Sequence, residues 1–376
     1  MTYNEIVALR HELHRNPEIS NLEYKTSERI TGFINAFAPD EVIKLGNTGR
    51  AFVFRGKAPG KTLMFRAELD ALPIQETSSV AYSSAITNVS HACGHDGHMA
   101  IVAGLASKIA KNRPEKGTVV LLFQPAEEVE QGARDVVENV EFKRIEPDCI
   151  FALHNIPGIE KNKILLKAGT FASASKGMTV KLFGKTSHAA EPENGISPAN
   201  AVAEIIRELH RVVKNKRLFK DVALLTIIHI RMGEVSFGTT PGYAEIMVTL
   251  RAFENEDMAI LTREGENIIK GIAKTENLTC EISYSEVFPA VVNHMDCLDL
   301  VKQSADKNNL KTEFLNDPFK WSEDFAYYTQ KYKGCFFGLG AGVDHPQLHN
   351  PDFDFPDEII ETGINMFDTI CKNFNF

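Results

Sequence analysis

Residues 118–128 read TVVLLFQPAEE, an apolar run that ends in a short polar stretch and two glutamates. The run Thr118–Phe123 predicts a strand that is buried on both faces, as in the parallel sheets of α/β proteins. Ligands and catalytic groups of such sheets collect beyond the carboxyl ends of the strands, which is where Glu127 and Glu128 fall. On an extended backbone the two carboxylates point in opposite directions, so that one can bind a metal while the other moves protons. A solvated acidic helix start explains the pair equally well.

The segments before and after this strand have patterns that predict an α/β domain. Residues 62–66 and 150–153 have a similar short apolar pattern, and residues 99–109 have the longer apolar pattern of a helix. Strands that alternate with helices favour a mixed sheet covered by helices. We therefore predict a discontinuous catalytic α/β domain, formed by residues 1–174 and 286–376.

Residues 175–285 have a self-contained pattern between those two parts. The pattern runs strand, helix, two strands, helix and strand, and that order is the ferredoxin-like arrangement. The sequence thus predicts a smaller α+β domain that is inserted into the catalytic domain.

Composition argues against several classes of partner. The 376 residues carry a formal net charge of −9, whereas binding to nucleic-acid phosphates needs clustered Lys and Arg. The longest apolar run, near Val222–Ile230, is interrupted by His229 and is far shorter than the ~20 residues of a membrane span. The cysteines are scattered without a disulfide-like spacing. We therefore expect a cytoplasmic protein with neither nucleic acid nor membrane as a partner.

The densest chemical signal is the octet of residues 91–98, which reads HACGHDGH. Three imidazoles, a thiol and a carboxylate lie together, and two glycines let the backbone turn so that several of these side chains converge. Sulfur and imidazole together suit zinc and other late divalent metals. A polar loop with a buried cysteine is the plainer explanation, and the concentration of His and Cys disfavours it.

Two further histidines follow apolar segments, His154 in the stretch ALHN and His349 in the stretch QLHN. A single histidine beside an apolar segment is usually a core or loop residue. The combination of the octet, the glutamate pair and these two histidines indicates a metal centre built from distant segments.

Several stretches resemble one enzyme family along essentially the whole chain. The chain resembles the superfamily of zinc-type carboxypeptidases, aminoacylases and deacetylases, and within it the branch of hippurate hydrolases, auxin-conjugate (IAA-amino acid) hydrolases and N-acetyl-diaminopimelate deacetylases. The matching stretches are LRHELHRNPE (9–18), RAELDALPI (66–74), HACGHDGH (91–98), GTVVLLFQPAEE (117–128), ALHN (152–155), GKTSHAA (184–190), SEDF (322–325) and LHN (348–350). The octet together with the glutamate pair is the specific part of this match.

The resemblance implies roles for individual side chains and two divalent metal ions per subunit. The implied metal ligands are Cys93, His95, Glu128, His154 and His349. Cys93 is implied as the bridge between the ions, and Glu127 as the general base. Asp70 is implied to orient a ligand, and a capped turn before Pro73 explains it equally well. Zinc, manganese, cobalt and nickel all remain candidates, because availability in the cell decides as much as ligand type.

The inserted domain corresponds to a lid and dimerisation domain in this family. His188 matches a histidine that reaches a neighbouring active site in dimeric relatives, where it would stabilise an oxyanion. A homodimer or higher homo-oligomer is therefore implied, although a hydrophilic loop histidine is the alternative. Arg251 is a candidate to pair a substrate carboxylate, and a solvated arginine at a strand end is equally plausible.

Two positions depart from the family pattern. Where relatives usually carry Asn-Val-Ile-Pro, this chain has Gly238-Thr239-Thr240-Pro241, and where they often carry Pro-His it has Pro192-Glu193. If the resemblance holds, both changes lie near the substrate and alter which substrates are accepted. A cationic or amino-bearing substrate is one hypothesis that Glu193 suggests.

The leading interpretation is a metal-dependent amidohydrolase that cleaves the amide bond of a small N-acyl amino acid or peptide-like substrate. A hydroxide bound by the two metals would attack, with Glu127 as general base. The nearest alternative is a dipeptidase or aminopeptidase with the same centre. A non-catalytic metal-binding relative is a further alternative, and the intact set of ligands and base argues against it.

Overall fold

The protein, seen in a computed structural model that describes residues 2–376, divides into two compact units. Unit 1 consists of Met1–Phe171, Val291–Asp317 and Glu323–Phe376. Unit 2 consists of Ala172–Ala290 and the short segment Pro318–Ser322, which the sequence pattern does not assign to the inserted domain. Unit 2 therefore interrupts unit 1 in the sequence.

The secondary structure alternates helices and strands along most of unit 1. Within residues 2–376 the α-helices are α1 (Tyr3–Arg15), α2 (Tyr24–Asn35), α3 (His95–Lys111), α4 (Gly132–Glu138), α5 (Ala199–Lys214), α6 (Asn255–Thr275), α7 (Met295–Lys307), α8 (Ala326–Thr329) and α9 (Ile360–Asn373). The strands are β1 (Glu41–Leu45), β2 (Gly49–Arg55), β3 (Ala58–Glu68), β4 (Lys116–Gln124), β5 (Cys149–Pro157), β6 (Ile164–Leu166), β7 (Gly169–Ala172), β8 (Ala174–Phe183), β9 (Ser187–His188), β10 (Ala223–Met232), β11 (Thr239–Thr240), β12 (Tyr243–Ala252), β13 (Thr279–Phe288), β14 (Val291–Asn293), β15 (Thr312–Phe314) and β16 (Lys333–Gly342). Short 3₁₀ helices cover Val140–Arg144, Pro192–Asn194 and Asp357–Ile359. Across this part of the chain, no helix has the length and apolar character needed to cross a bilayer.

Unit 1 is built on an eight-stranded mixed sheet in the order β1-β2-β4-β3-β5-β16-β6-β15. Its centre is parallel, since β4, β5 and β3 run in one direction and β16 pairs in parallel with β5. The outer strands β1, β2 and β6 introduce antiparallel pairs. The apolar run predicted as a doubly buried strand lies within β4 and is buried from Val119 onwards. The prediction of a mixed sheet in an α/β domain is thus confirmed.

Helices cover this sheet and close its core. Helix α3 packs against β3, β4, α1 and α9, and α9 also packs against α7. The ring of Phe367 on α9 lies 4.7 Å from that of Phe65 and 5.9 Å from that of Phe337, measured between centroids. All three rings are fully buried, so this aromatic contact joins a helix to two strands of the sheet.

Unit 2 is an antiparallel sheet of order β10-β12-β8-β13 with two helices, α5 and α6, packed against it. Its elements follow one another as β8, α5, β10, β12, α6 and β13. The predicted ferredoxin-like order is therefore confirmed. Strand β10 lies at an edge, and Leu224, Ile228, Ile230 and Met232 on it are exposed.

A buried charge network joins helix α1 to the start of helix α3. Arg10 and His14 on α1 both contact Asp96, with Arg10 Nε 2.9 Å and His14 Nδ1 2.8 Å from the same carboxylate oxygen. The other ring nitrogen of His14 lies 3.2 Å from Glu76, and the side chains of Arg10, His14 and Asp96 are fully buried. Burial lowers the pKa of His14, but Asp96 and Glu76 outweigh burial and raise it to about 9.

The aromatic contact at Phe367 predicts a large stability effect. Phe367→Ala should reduce the free energy of unfolding by about 3–5 kcal/mol, because it removes a fully buried ring and leaves a cavity. Phe314→Ala is the matched control, since Phe314 is 53% exposed and should change stability by no more than about 0.5 kcal/mol. Urea unfolding followed by circular dichroism measures both, and equal effects would contradict this account of the core.

The raised pKa of His14 predicts that stability falls as pH rises from 6.5 to about 9. In this window the folded chain keeps a proton on His14 that the unfolded chain has lost, so raising the pH favours unfolding. The loss should be on the order of 2 kcal/mol and should be largely absent from His14→Gln. Thermal unfolding across this pH range tests it, with His11→Gln on the same helix as the control that keeps the wild-type slope. A slope that survives in His14→Gln would rule out this origin.

Candidate active site

The candidate site lies in unit 1 at the carboxyl ends of adjacent parallel strands. Strand β3 leads to Asp70, β4 leads to Glu127 and Glu128, and β5 carries His154. These three strands are neighbours in the order β4-β3-β5, so the side chains that follow them meet at one edge of the sheet. The octet reaches the same edge, and its last four residues form the first turn of α3 rather than a loop.

A glycine makes the octet turn possible. Gly94 has a φ of 95°, and a Cβ at this position would lie 2.5 Å from Oδ1 of Asn155. Any other residue would therefore be both strained and obstructed. His98 is held by the same neighbour, with its two ring nitrogens 2.8 Å from Glu68 and 2.7 Å from Asn155. Both nitrogens of His98 are thus occupied, whereas Nε2 of His95 has no hydrogen-bond partner within residues 2–376.

The structure brings all five predicted metal ligands together. Sγ of Cys93 lies 3.4 Å from Nε2 of His154, and Oε1 of Glu128 lies 3.8 Å from Nε2 of His95 and 3.7 Å from Nε2 of His349. Among the groups of side chains whose ligand atoms all lie within 4.8 Å of one another, two contain only predicted metal ligands. One group is Cys93, His95 and His154, and the other is Cys93, Glu128 and His349. Cys93 is the member that both groups share.

The ligand atoms fit divalent metal ions in distance and in protonation. Oε1 of Glu128 and Nε2 of His95 are buried and have no hydrogen-bond partner within residues 2–376. Their separation is too long for a hydrogen bond but suits two ligands on one cation, each with a bond of roughly 2.0–2.2 Å. Nδ1 of His95 faces the carbonyl of Asp70 at 2.9 Å, and Nδ1 of His154 faces the carbonyl of Asn155 at 2.9 Å. Since a carbonyl only accepts, both Nδ1 atoms donate and both Nε2 atoms are left as ligands.

The electrostatics of the site also favour cations. Burial and the nearby Glu128 raise the pKa of the Cys93 thiol well above its usual range. Burial and Glu323 likewise raise the pKa of Glu127, and burial raises that of Glu128 to about 7. Thus the protein's own groups make it costly for these three acids to ionise together. A pair of divalent ions is the kind of group that would stabilise the ionised ligands.

The two glutamates after β4 do not lie on an extended backbone, so the predicted reason for their different orientations is wrong. Ala126 has a φ of 52°, and the residues that follow it form a turn. Glu128 faces Cys93 and His349, while Glu127 lies within reach of Glu323 and Asp324 as well as 4.0 Å from Nε2 of His95. The turn therefore directs the two carboxylates to different neighbours, and both remain close to His95.

A buried ion-pair cluster forms the wall beside Glu127. Arg66 is fully buried and pairs with Glu68, with Glu323 at 2.9 Å and with Asp324 at 2.6 Å. Gln124 bonds both Arg66 and Asp324, and the backbone N–H of Ala133 donates to Asp324 at 2.9 Å. We call Arg66, Glu68, Gln124, Glu323 and Asp324 the Arg66 cluster. Its hydrogen bonds fix the acids that surround Glu127.

Asp70 connects two of the candidate ligands. Its carbonyl accepts from the His95 ring, and its carboxylate accepts from the backbone N–H of Glu128 at 3.0 Å and from Ser20 at 2.7 Å. The hydrogen bond of His95, followed by those of Ser20 and Glu128, outweighs burial and lowers the pKa of Asp70. Asp70 therefore stays ionised and orients a histidine and a glutamate at once.

Two predicted substrate-side residues belong to unit 2. Nδ1 of His188 accepts from the N–H of Ala190 at 3.0 Å, and His188 pairs with Thr239 across the short β9–β11 bridge. The N–H of Ala189 also donates to the carbonyl of Gly238. The segment of Gly238, which differs from the family pattern, is therefore hydrogen-bonded to the segment of His188.

Arg251, also in unit 2, donates from Nη1 to the carbonyl of Lys320 at 2.8 Å and to Ser322 at 3.2 Å. One guanidinium nitrogen is thus used inside unit 2. Its pairing with a substrate stays a prediction, as does the role of His188.

Comparisons with known proteins agree with this geometry. Residues 64–373 match the family model for Peptidase family M20/M25/M40. The chain belongs to this family. It is 30% identical to the N-acetyldiaminopimelate deacetylase of Bacillus velezensis, over 97% of each chain. It is 29% identical to the hippurate hydrolase of Campylobacter jejuni, over 98% of this chain and 96% of that one.

A solved structure from the M20 family has a similar backbone fold. The Bacillus subtilis YXEP protein, described as a dinuclear metal-binding peptidase, superposes with a TM-score of 0.85 at 27% identity. The match covers 98% of this chain and 97% of that one. The predictions of the family and of a hydrolase acting on amides are therefore confirmed.

Sequence reasoning missed the Arg66 cluster of this M20 chain. The stretches RAELDALPI and SEDF indicate the family resemblance, but their pattern predicts no role for Glu68, Glu323 or Asp324. One local signal was available, because Arg66 is a charged residue at the end of an otherwise apolar strand. A fully buried arginine needs buried acids as partners, but the sequence does not say which ones.

The position of Asp70 predicts a loss of metal affinity on mutation. Asp70→Asn should weaken metal binding about 10- to 100-fold, because it removes the carboxylate charge that accepts from the N–H of Glu128 and lies 3.5 Å from Nδ1 of His95. Titration of the metal-depleted protein with Zn²⁺ or Mn²⁺ measures this, and excess metal should restore binding. Asp135→Asn, at an exposed position on α4, is the control and should bind like the wild type. Unchanged affinity in Asp70→Asn would contradict the assignment.

Proposed function

We propose that this protein hydrolyses the amide bond of small N-acyl amino acids at a dinuclear metal centre in unit 1. The observation that carries the proposal is that a thiol, three imidazoles and a carboxylate form two groups that share Cys93, with Glu127 beside them. The names of the hippurate hydrolase and the N-acetyldiaminopimelate deacetylase to which the chain is similar support an N-acyl amino acid as the substrate class.

The proposed ligands are the five side chains that the fold collects: Cys93, His95, Glu128, His154 and His349. Because Cys93 belongs to both ligand groups, its thiolate would help to hold both ions. When bound, the ions lower the pKa of a water and polarise the scissile carbonyl. Zinc, manganese, cobalt and nickel all suit this donor set, and metal analysis must decide between them.

Glu127 is the proposed proton carrier of the reaction. It is nearly buried and lies beside candidate ligands, but it is not needed to complete either of the groups that share Cys93. It would accept the proton of the attacking water and deliver that proton to the leaving amine. The Arg66 cluster supports this role, because its acids destabilise an additional negative charge on Glu127 and so increase its affinity for a proton.

The proposed roles of unit 2 concern the substrate and assembly. We assign His188 to oxyanion stabilisation and Arg251 to the substrate carboxylate. A homodimer through unit 2 is supported by β10, an edge strand that carries exposed apolar side chains and has unpaired backbone groups on one side. We also propose that Glu193 makes the enzyme prefer substrates that carry an amino group.

The proposed cytoplasmic location is supported by the six cysteines, which are all free thiols.

Glu127→Gln tests the proposal directly. The variant should keep the wild-type metal content of about two ions per chain and lose about 10²- to 10⁴-fold in kcat, because the amide side chain cannot take the proton. Glu138→Gln, at an exposed position on α4, should leave both quantities unchanged.

Metal analysis by mass spectrometry and a hydrolysis screen over acetyl and benzoyl amino acids and over dipeptides supply the measurements. Normal turnover in Glu127→Gln would disprove its role. Cleavage of dipeptides alone would indicate a peptidase, and metal binding without hydrolysis of any of these would indicate a non-catalytic relative.

A further inference from the structure

Two thiols meet at the end of β5 that is opposite to His154. Cys149 is the first residue of β5, and Cys297 lies in the first turn of α7. The thiol of Cys297 donates a hydrogen bond to Sγ of Cys149, with the sulfur atoms 3.5 Å apart. The two residues are far apart in the sequence, and their spacing gives no sign of a pair. A disulfide bond between them would shorten this distance between the sulfur atoms to about 2.05 Å.

The two thiols differ in acidity. The hydrogen bond from Cys297 outweighs burial and, with smaller contributions from Lys333 and Lys61, lowers the pKa of the Cys149 thiol. Cys297 is the donor, and this hydrogen bond together with burial raises the pKa of its own thiol. Thiol–disulfide exchange needs an attacking thiolate and then a second thiol that resolves the mixed disulfide. The geometry supplies one sulfur of each kind in direct contact.

Cys149 is reached through a cavity of about 530 Å³ that contains several cationic groups. Cys149 itself is 8% exposed, whereas Cys297 is fully buried, so a reagent meets Cys149 first. The cavity is lined by Lys61, Lys331 and Lys333, together with Asp148 and Asp296. Lys333 is paired with Asp296 at 2.8 Å, and Asp148 accepts from the backbone N–H of Thr62. Lys61 and Lys331 have no carboxylate partner within residues 2–376.

We propose that Cys149 is a modification site for small anionic disulfides, with Cys297 as the resolving thiol. In the first step the Cys149 thiolate attacks one sulfur of the disulfide RSSR, forming a Cys149–SR bond and releasing RS⁻. In the second step Cys297 loses its proton to solvent and attacks Sγ of Cys149, releasing a second RS⁻. Both thiolates take up protons, so that RSSR is reduced to two RSH while the two cysteines become one disulfide.

The full-length protein treated with glutathione disulfide tests this proposal. Wild type should lose two hydrogens and give a Cys149–Cys297 cross-linked peptide on mass spectrometry under non-reducing conditions. Cys297→Ser should stop at one glutathione adduct on Cys149, and Cys149→Ser should give neither product. Cys280→Ser, in unit 2, is the matched control and should behave like the wild type. A folded wild-type protein whose Cys149 stays unmodified, or whose cross-link joins other cysteines, would overturn the proposal.

A separate rate measurement tests the proposed preference of Cys149 for anionic disulfides. Replacing Lys61 and Lys331 together by Gln should slow the reaction with glutathione disulfide about 10-fold, because these cations attract the reagent to the cavity. The rate with uncharged bis(2-hydroxyethyl) disulfide should stay within about twofold of wild type, since steering acts only on charged reagents. An equal slowing with both reagents would overturn the anionic preference. None of these readouts involves amide hydrolysis, so their outcome is independent of the proposed function.

Discussion

The structure of the site depends on the cost of placing many acidic groups in one buried region. Glu68, Glu127, Glu323 and Asp324 are all less than a tenth exposed and lie around the carboxyl ends of β3 and β4. Arg66 compensates three of them, and no arginine or lysine contacts Glu127 within residues 2–376. An uncompensated buried charge is among the most costly features a fold can carry. Ionisation of all four acids therefore needs positive charge beyond that of Arg66, and His95, 4.0 Å from Glu127, is the nearest side chain that can carry it.

The sheet provides the rigidity that this arrangement requires. The parallel strands β4, β3 and β5 place Glu128, Asp70 and His154 at one edge, and every residue of β5 from Cys149 to Ile156 is buried. Asp70 then joins the octet to the glutamate turn through a histidine on one side and a backbone N–H on the other. Of the candidate ligands, His154 lies on β5 and His95 at the start of α3, whereas Cys93, Glu128 and His349 lie in turns next to these elements. The sheet and the helix terminus thus fix two of the positions directly, and the turns they anchor supply the others.

The sequence predicts those parts of the protein that depend on local patterns. The octet, the glutamates after an apolar strand and the alternation of elements are local, and they predict a metal centre and the fold class. The individual metal ligands are implied by the family resemblance. The orientation of Glu127 and Glu128 was not predictable in this way, since it follows from the positive φ of Ala126. The partners of Arg66 could not be predicted from local patterns either, because Glu323 and Asp324 lie in a segment far along the chain. Long-range contacts of this kind are decided by the packing of the whole unit.

The interrupted course of unit 1 has a consequence for the order in which the chain is made. Strand β16 lies between β5 and β6 in the sheet, yet it is encoded after the whole of Ala172–Ala290. At ~5–20 residues per second, a ribosome needs on the order of ten seconds to pass this stretch of about 120 residues. During that time β5 has no neighbour on one side, and its apolar surface is exposed to other nascent chains. Unit 2 can complete its own sheet in the same interval, and the sheet of unit 1 is complete only when β16 emerges from the ribosome.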